Sequence, residues 1–179
     1  MVEMDWLMMN YSVTGNDKKP LVILHGEDKT YDDLPNNVRT VRIKSRYPYG
    51  THHTKLMVLV YSDGGVRVAV MTANLVGSDW ENRTQGVWLS DLCPKLPPDG
   101  SDGESRTLFK SSLLRYLKFY EVSAVKQFTD AIASCDMSAV NVFFLASVPG
   151  AHREVDMARW GHRQVRTVEN VSYGNNRPV

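Results

Sequence analysis

His53 and Lys55 stand two residues apart in Tyr49-Gly50-Thr51-His52-His53-Thr54-Lys55, where the chain passes from polar into nearly continuous apolar sequence. In extended backbone successive side chains alternate sides, so this spacing puts the imidazole and the ammonium on one face and Thr54 on the other. Side by side they suit a phosphate. The lysine brings a fixed positive charge with three donors, and the imidazole attacks phosphorus or carries a proton. Asn74 ends the next apolar run. If that run folds back on the first, the amide arrives beside the pair and donates its N–H groups to the same phosphate oxygens. A His-X-Lys pattern is common by chance, and a strand-end histidine is more often a hydrogen-bonded polar residue than a catalyst. The return of Asn74 favours chemistry.

The elements that must position these residues are legible around them. Lys55 to Tyr61 and Val66 to Met71 are apolar runs separated by Asp63-Gly64-Gly65. That pattern predicts a β-hairpin whose strands are dense enough in Val and Leu to be buried on both faces. Upstream, a short helix is expected around Asp5 to Met9 and a strand over Leu21 to His25. An acidic loop then fills 27–37, and Val38 to Ile43 alternates as a strand with one wet face. After Asn74 a polar segment runs through Gln85, and Gly86 to Leu89 reads as a strand. Residues 93–105, rich in Pro, Gly, Asp and Ser, predict a mobile surface loop. Helical spacing returns at Leu108, Leu113, Leu114, Leu117 and Tyr120, and again at Val125, Phe128 and Ile132. Ser105, Arg106 and Thr107 are the N-cap candidates for the first helix, and Ser123 for the second. Val140 to Ala146 reads as a last buried strand. The mixture predicts an α/β fold with a largely buried central sheet flanked by helices.

The 179 residues suffice for one domain with a sizeable core, and the apolar fraction of 42% with 23% charged residues is that of a globular protein. A formal net charge of +1 gives no global basic excess, so contact with nucleic acid would have to come from local patches. Cys93 and Cys135 lack the spacing of a zinc or redox motif and read as two free thiols in a reducing compartment. No apolar run approaches the roughly 20 residues that span a bilayer, and the start lacks the pattern of a secretory signal. No membrane partner is expected.

The run from Tyr49 to Met57 resembles the first active-site motif of the tyrosyl-DNA phosphodiesterases, a branch of the phospholipase D superfamily. So does Thr72-Ala73-Asn74-Leu75 followed by Asp79-Trp80 and by Thr84-Gln85-Gly86-Val87-Trp88-Leu89-Ser90. Collinear matches extend across residues 2–162, from Val2-Glu3-Met4-Asp5-Trp6-Leu7 to Trp160-Gly161-His162. Where most superfamily motifs carry an Asp after the Lys, this chain has Val60, and the tyrosyl-DNA phosphodiesterase branch likewise uses an Asn in place of that Asp.

The resemblance implies a phospholipase D-like α/β/α sandwich and hydrolysis of a 3′-phosphotyrosyl DNA bond left by topoisomerase I. His53 would be the nucleophile, forming a phosphohistidine, with Lys55 and Asn74 binding the non-bridging oxygens. Gln85 would support His53 by a hydrogen bond, a polar helix residue being the other reading. Tyr49 would lie along single-stranded DNA, or pack half-buried. Ser147 fits a DNA-phosphate contact. No cofactor or metal is implied. The partners would be DNA 3′ ends carrying a tyrosyl or other adduct and a topoisomerase I-derived peptide, with a nuclear location first and cytoplasm second.

The family assembles its site from two lobes, each giving a His, a Lys and an Asn. His25, His152 and His162 are not followed by a Lys at the required spacing. Residues 1–150 therefore read as one lobe and 151–179 as a poorly matched tail. The chain alone is expected to be weak or inactive, unless a homodimer completes the site. The alternative is a lobe that binds DNA ends or a protein without chemistry.

Overall fold

In a computed structural model, the residues described are 1–45, 48, 50–98, 100–149, 153 and 159–161. Tyr49 and most of the tail from residue 151 lie outside them. Contacts gather into two units: Met1–Leu59 with Arg67–Ser90, and Val60–Val66 with the chain from Asp91 onward.

The first unit opens with α1, Met4–Val13, which extends the expected helix in both directions. Met4, Leu7 and Met8 pack on a small core of Val2, Ile23 and Val38. β1, Leu21–His25, and β2, Val38–Arg42, pair in parallel with Leu21 opposite Val38 and His25 opposite Arg42. Val2 closes this core. Its N–H donates to Glu27 Oε2 at 2.7 Å, and its carbonyl accepts from Lys29 Nζ at 3.1 Å and from the Tyr31 hydroxyl at 3.2 Å. It also forms a single parallel bridge to Leu75.

The hairpin forms as expected from β3, Leu56–Val60, and β4, Val66–Met71. Gly64 holds φ +85° at its turn, and the Gly65 N–H donates to Asp63 Oδ1 at 2.8 Å, the side-chain bond that makes Asp-Gly sequences turn. β5, Val87–Leu89, pairs antiparallel with β4, giving the order β3-β4-β5. The expectation of two strands buried on both faces holds only in part of β4, where Val66, Val68 and Ala69 are buried while Val70 is exposed. β3 is the outer strand, and Leu59, Val60 and Tyr61 are 41%, 46% and 43% exposed. Nor is there one central sheet: the described residues form a two-stranded and a three-stranded sheet.

One short helix has no counterpart in the sequence pattern. α2, Gly77–Glu81, lies within the segment expected to be merely polar. Its opening glycine is required by packing, because a Cβ there would stand 3.0 Å from the Trp6 ring. The Gly77 N–H donates to Glu3 Oε2 at 3.0 Å, so a carboxylate sits at the helix N-terminus.

The second unit is built on α3, Phe109–Lys118, and α4, Lys126–Ala133, with a 3₁₀ turn over Ser123–Val125 before α4. Phe109, Leu113 and Ile132 are almost wholly buried. Ser105 does serve the start of α3, its Oγ accepting from the Phe109 N–H at 2.9 Å. Glu104, not foreseen, accepts from the N–H groups of Lys110 and Ser111 at 3.0 and 2.8 Å. Three of the donors a helix leaves open at its first turn are thereby satisfied. Ser123 makes no side-chain cap. Cys93 and Cys135 are buried thiols not joined in a disulfide.

Two expectations need correction here. Val140–Ala146 is not a strand. A strand needs a ladder, and this segment instead contributes Phe144, whose ring packs on Phe109 and Tyr116 with centroids 5.7 and 5.6 Å away. The 93–105 segment, expected as a mobile loop, is tied at both ends. Cys93 bridges Val66 and Lys95 bridges Cys135. The buried Lys110 donates to the carbonyls of Asp102 and Cys135 at 2.6 and 2.7 Å.

Gly103 is the tightest point of that arrangement. It holds φ +61°, and a Cβ on it would meet Leu96 Cδ2 at 2.6 Å and both Asp136 Cα and the Cys135 carbonyl oxygen at 2.8 Å. Backbone cannot yield as a side-chain tip can, so Gly103→Ala should destabilise the protein by about 2–4 kcal/mol. Denaturant unfolding measures this, and an unchanged midpoint would show that the segment gives way.

Candidate active site

The site is assembled wholly within the first unit, from the approach to β3 and the exit of β4. The Met71 N–H donates to the Lys55 carbonyl at 3.0 Å, the last bond of the hairpin on this side, so Thr72-Ala73-Asn74 leaves β4 next to Lys55. On the other flank Gly26 admits the chain before β3, since a Cβ there would lie 2.9 Å from the His52 backbone nitrogen.

The shared face of His53 and Lys55 is present. Lys55 Nζ is 3.2 Å from both ring nitrogens of His53 and 3.1 Å from its carbonyl oxygen. A position equidistant from both ring nitrogens lies over the face of the imidazole, so the ammonium's charge rests against the ring rather than along one nitrogen's in-plane lone pair. His53 is exposed, whereas Lys55 is half-buried. Burial holds the Lys55 ammonium below the usual lysine range, and the negative charge of Asp79 acts against that.

Asn74 is held from α2. Its backbone N–H and its Nδ2 both donate to Asp79 Oδ2, at 2.9 and 2.8 Å, and its carbonyl accepts from Trp80 Nε1 at 2.8 Å. Asp79 is 3% exposed, and its other oxygen accepts from Arg83 at 2.9 Å. The Asn74 bonds hold the Asp79 carboxyl below the usual range, with help from the charges of Arg83 and Lys55. Trp80 in turn lies against Trp6, with ring centroids 6.0 Å apart. The Met1 amino group reaches Asn74 Oδ1 at 3.4 Å.

His53 and Lys55 are in direct contact, and Asn74 is bonded to Asp79, whose charge acts on Lys55. The other expected residues fare differently. Gln85 accepts from the Thr72 hydroxyl at 2.6 Å, and His53 makes its bonds to Lys55, so the expected Gln85–His53 bond is not formed. The reason is local: Thr72 and Gly86 pair across the start of β5 at 3.0 Å, which turns Gln85 toward the threonine. Ser147 lies exposed in the second unit, and Tyr49 is outside the described residues. Asp79 and Trp80 entered the sequence reading only within the family-like motif, with no role given, and Arg83 did not enter it. The i, i+4 spacing of Asp79 and Arg83 was a further signal, one that ordinary surface helices share.

Residues 1–173 match the family profile described as tyrosyl-DNA phosphodiesterase. The chain is 42% identical over 176 residues to tyrosyl-DNA phosphodiesterase 1 of Drosophila melanogaster, a match covering 94% of the chain and 30% of that protein. The chain belongs to the tyrosyl-DNA phosphodiesterase family. The Arabidopsis thaliana tyrosyl-DNA phosphodiesterase 1 is 36% identical over 183 residues, again with 94% and 30% covered. A crystal structure of a yeast tyrosyl-DNA phosphodiesterase mutant aligns over 100% of this chain and 41% of its own, with a TM-score of 0.74 at 18% identity. That likeness carries the fold, the phospholipase D-like arrangement of sheets with flanking helices. The chain spans about 30% of the length of the relatives it matches. The family match also runs to residue 173, past the His162 at which the resemblance was expected to stop.

His52 is the most perturbed imidazole beside the site. Burial pushes its pKa down from 6.5 to about 4, and the positive charges of the Met1 amino group, His25, Lys55 and His53 add to this. An imidazole with a lowered pKa stays neutral in the fold while the unfolded chain takes up a proton. Its stabilising contribution is therefore complete above pH 6.5 and is lost as the pH falls toward 4. Melting temperatures of the native chain should decline through that window more steeply than those of His52→Gln, and parallel curves would contradict it.

Proposed function

We propose that His53, Lys55 and Asn74 form the nucleophile half of a site that hydrolyses 3′-phosphotyrosyl bonds in DNA repair. The Drosophila and Arabidopsis relatives carry the name tyrosyl-DNA phosphodiesterase 1, which states both the bond and the reaction. The observation that carries the reading is the contact of Lys55 Nζ with the His53 ring, 3.2 Å from each nitrogen, beside an asparagine amide held at its N–H edge.

The Lys55 ammonium lies against the face of the His53 ring. A charged phosphate oxygen is the stronger acceptor. On binding it draws Lys55 toward itself and away from the ring face. The His53 nitrogen then bonds to phosphorus as the phosphorus–oxygen bond to tyrosine breaks, giving a phosphohistidine. Lys55 and Asn74 meet the charge that gathers on the non-bridging oxygens of the five-coordinate transition state. The departing tyrosyl oxygen needs a proton, and no other histidine of the chain is followed by a Lys at the His53–Lys55 spacing. The acid therefore comes from a second half-site, on a further segment or a second copy. The substrate would be DNA bearing a topoisomerase I-derived tyrosine, in the nucleus, with Tyr49 and Ser147 along the strand.

The absence of a second such pair favours one other reading, a lobe that binds DNA ends without turnover. Incubation of the chain with a 3′-phosphotyrosyl oligonucleotide separates the two. Turnover, or a trapped phosphohistidine, should be lost in His53→Ala by about 1000-fold or more. Lys55→Ala should weaken oligonucleotide binding about tenfold and flatten its salt dependence. A chain that binds normally and shows neither tyrosine release nor adduct at high concentration would sink the catalytic reading.

A further inference from the structure

Asp79 touches no substrate atom in the chemistry above, and a carboxylate beside a phosphate site needs a reason, because its charge opposes the ligand's. It is 3% exposed, and each of its oxygens is engaged: Oδ2 by two N–H groups of Asn74, Oδ1 by Arg83.

The consequence for Asn74 is geometric. A side-chain amide offers an oxygen on one edge and N–H groups on the other, and half a turn about its last bond exchanges them. A carboxylate only accepts. With one Nδ2 hydrogen bonded to Asp79 and the neighbouring backbone N–H bonded to the same oxygen, the half-turned amide would set oxygen against oxygen in a buried place. The second Nδ2 hydrogen is then left in a fixed direction as a donor.

The consequence for Lys55 is electrostatic. The titratable groups around it are the His53 ring in contact, the His52 imidazole next to that, the Met1 amino group near Asn74, and Asp79 with Arg83 behind it. Burial makes the half-buried lysine keep its proton less readily, and Asp79 is the charge that opposes the loss.

We propose that Asp79 is a positioning residue of the phosphate half-site, holding the Asn74 amide in its donor orientation and balancing the charge of Lys55. The inference rests on the reading of His53, Lys55 and Asn74 as that half-site.

The test is fluorescence anisotropy of the full chain with a single-stranded 3′-phosphotyrosyl oligonucleotide across pH 6–10. Wild-type binding should fall on the alkaline side as Lys55 loses its proton. In Asp79→Asn, affinity at neutral pH should drop about tenfold, and the alkaline limb should move down by about one pH unit. Asp79→Glu keeps the charge and should leave the limb where the wild type has it. A merely structural role would reduce the folded fraction without moving the limb, so an unmoved limb in Asp79→Asn overturns the proposal.

Should Asp79→Asn fail to fold, the wild type still decides. The Asn74 Nδ2 proton bonded to Asp79 should exchange with solvent at least tenfold more slowly than those of an exposed asparagine such as Asn82, and equal rates overturn the proposal. Lys55→Ala separates the two claims. If it binds as the wild type does, the half-site reading fails and this inference with it. If it loses binding while Asp79→Asn leaves the limb unmoved, only the role of Asp79 is lost.

Discussion

The hydrogen bond from the Met71 N–H to the Lys55 carbonyl is where the architecture of this chain and its chemistry meet. It is the last rung of the β3–β4 hairpin. Above it both strands are ordinary sheet, and beyond it both chains leave the ladder and carry polar side chains outward. His53 and Lys55 depart on one side and Asn74 on the other, from neighbouring points of one rigid element. A slip of one residue in that pairing would send His53 and Lys55 to the opposite face. The turn at Asp63-Gly64-Gly65 is thus as much a determinant of the site as the residues in it, because it sets the register.

Around that rung the first unit stacks a series of supports. α2 presents Asp79 and Trp80 to Asn74, and Trp6 of α1 backs Trp80. Gly77 permits that approach and Glu3 caps the helix it opens. Five residues of helix would not persist alone in water. Here the short helix is held because each of its side chains toward the interior is bonded or stacked, and the asparagine it holds gains a single orientation.

How much of this was legible in the sequence follows from what local pattern encodes. Alternation placed His53 and Lys55 together, and turn chemistry returned Asn74 to them, since both rules act within a few residues. Asp79 was not legible as a site residue, because a lone aspartate in a polar segment looks alike whether solvated or buried against an amide. Val140–Ala146 was misread for a related reason. Apolar content reports burial, but a strand also requires a partner edge, and Phe144 found an aromatic pocket on α3 instead. The composition of 93–105 reported turns correctly. It did not report that two carbonyls nearby would accept from a buried lysine. Gln85 shows that resemblance carries residue identity further than it carries a hydrogen bond.

The bridge between Val2 and Leu75 has a meaning in the order of folding events. The hairpin closes across a turn of a few residues, whereas this bridge joins segments separated by roughly 70. By loop-closure entropy the longer link costs roughly 2–3 kcal/mol more to form, and it returns nothing until both ends are already structured. A chain part-way to the native state therefore holds His53 against Lys55 while the residue next to Asn74 still waits for its anchor. The contact of His53 with Lys55 is a local product of the sequence. The anchoring of the segment that carries Asn74 belongs only to the finished fold.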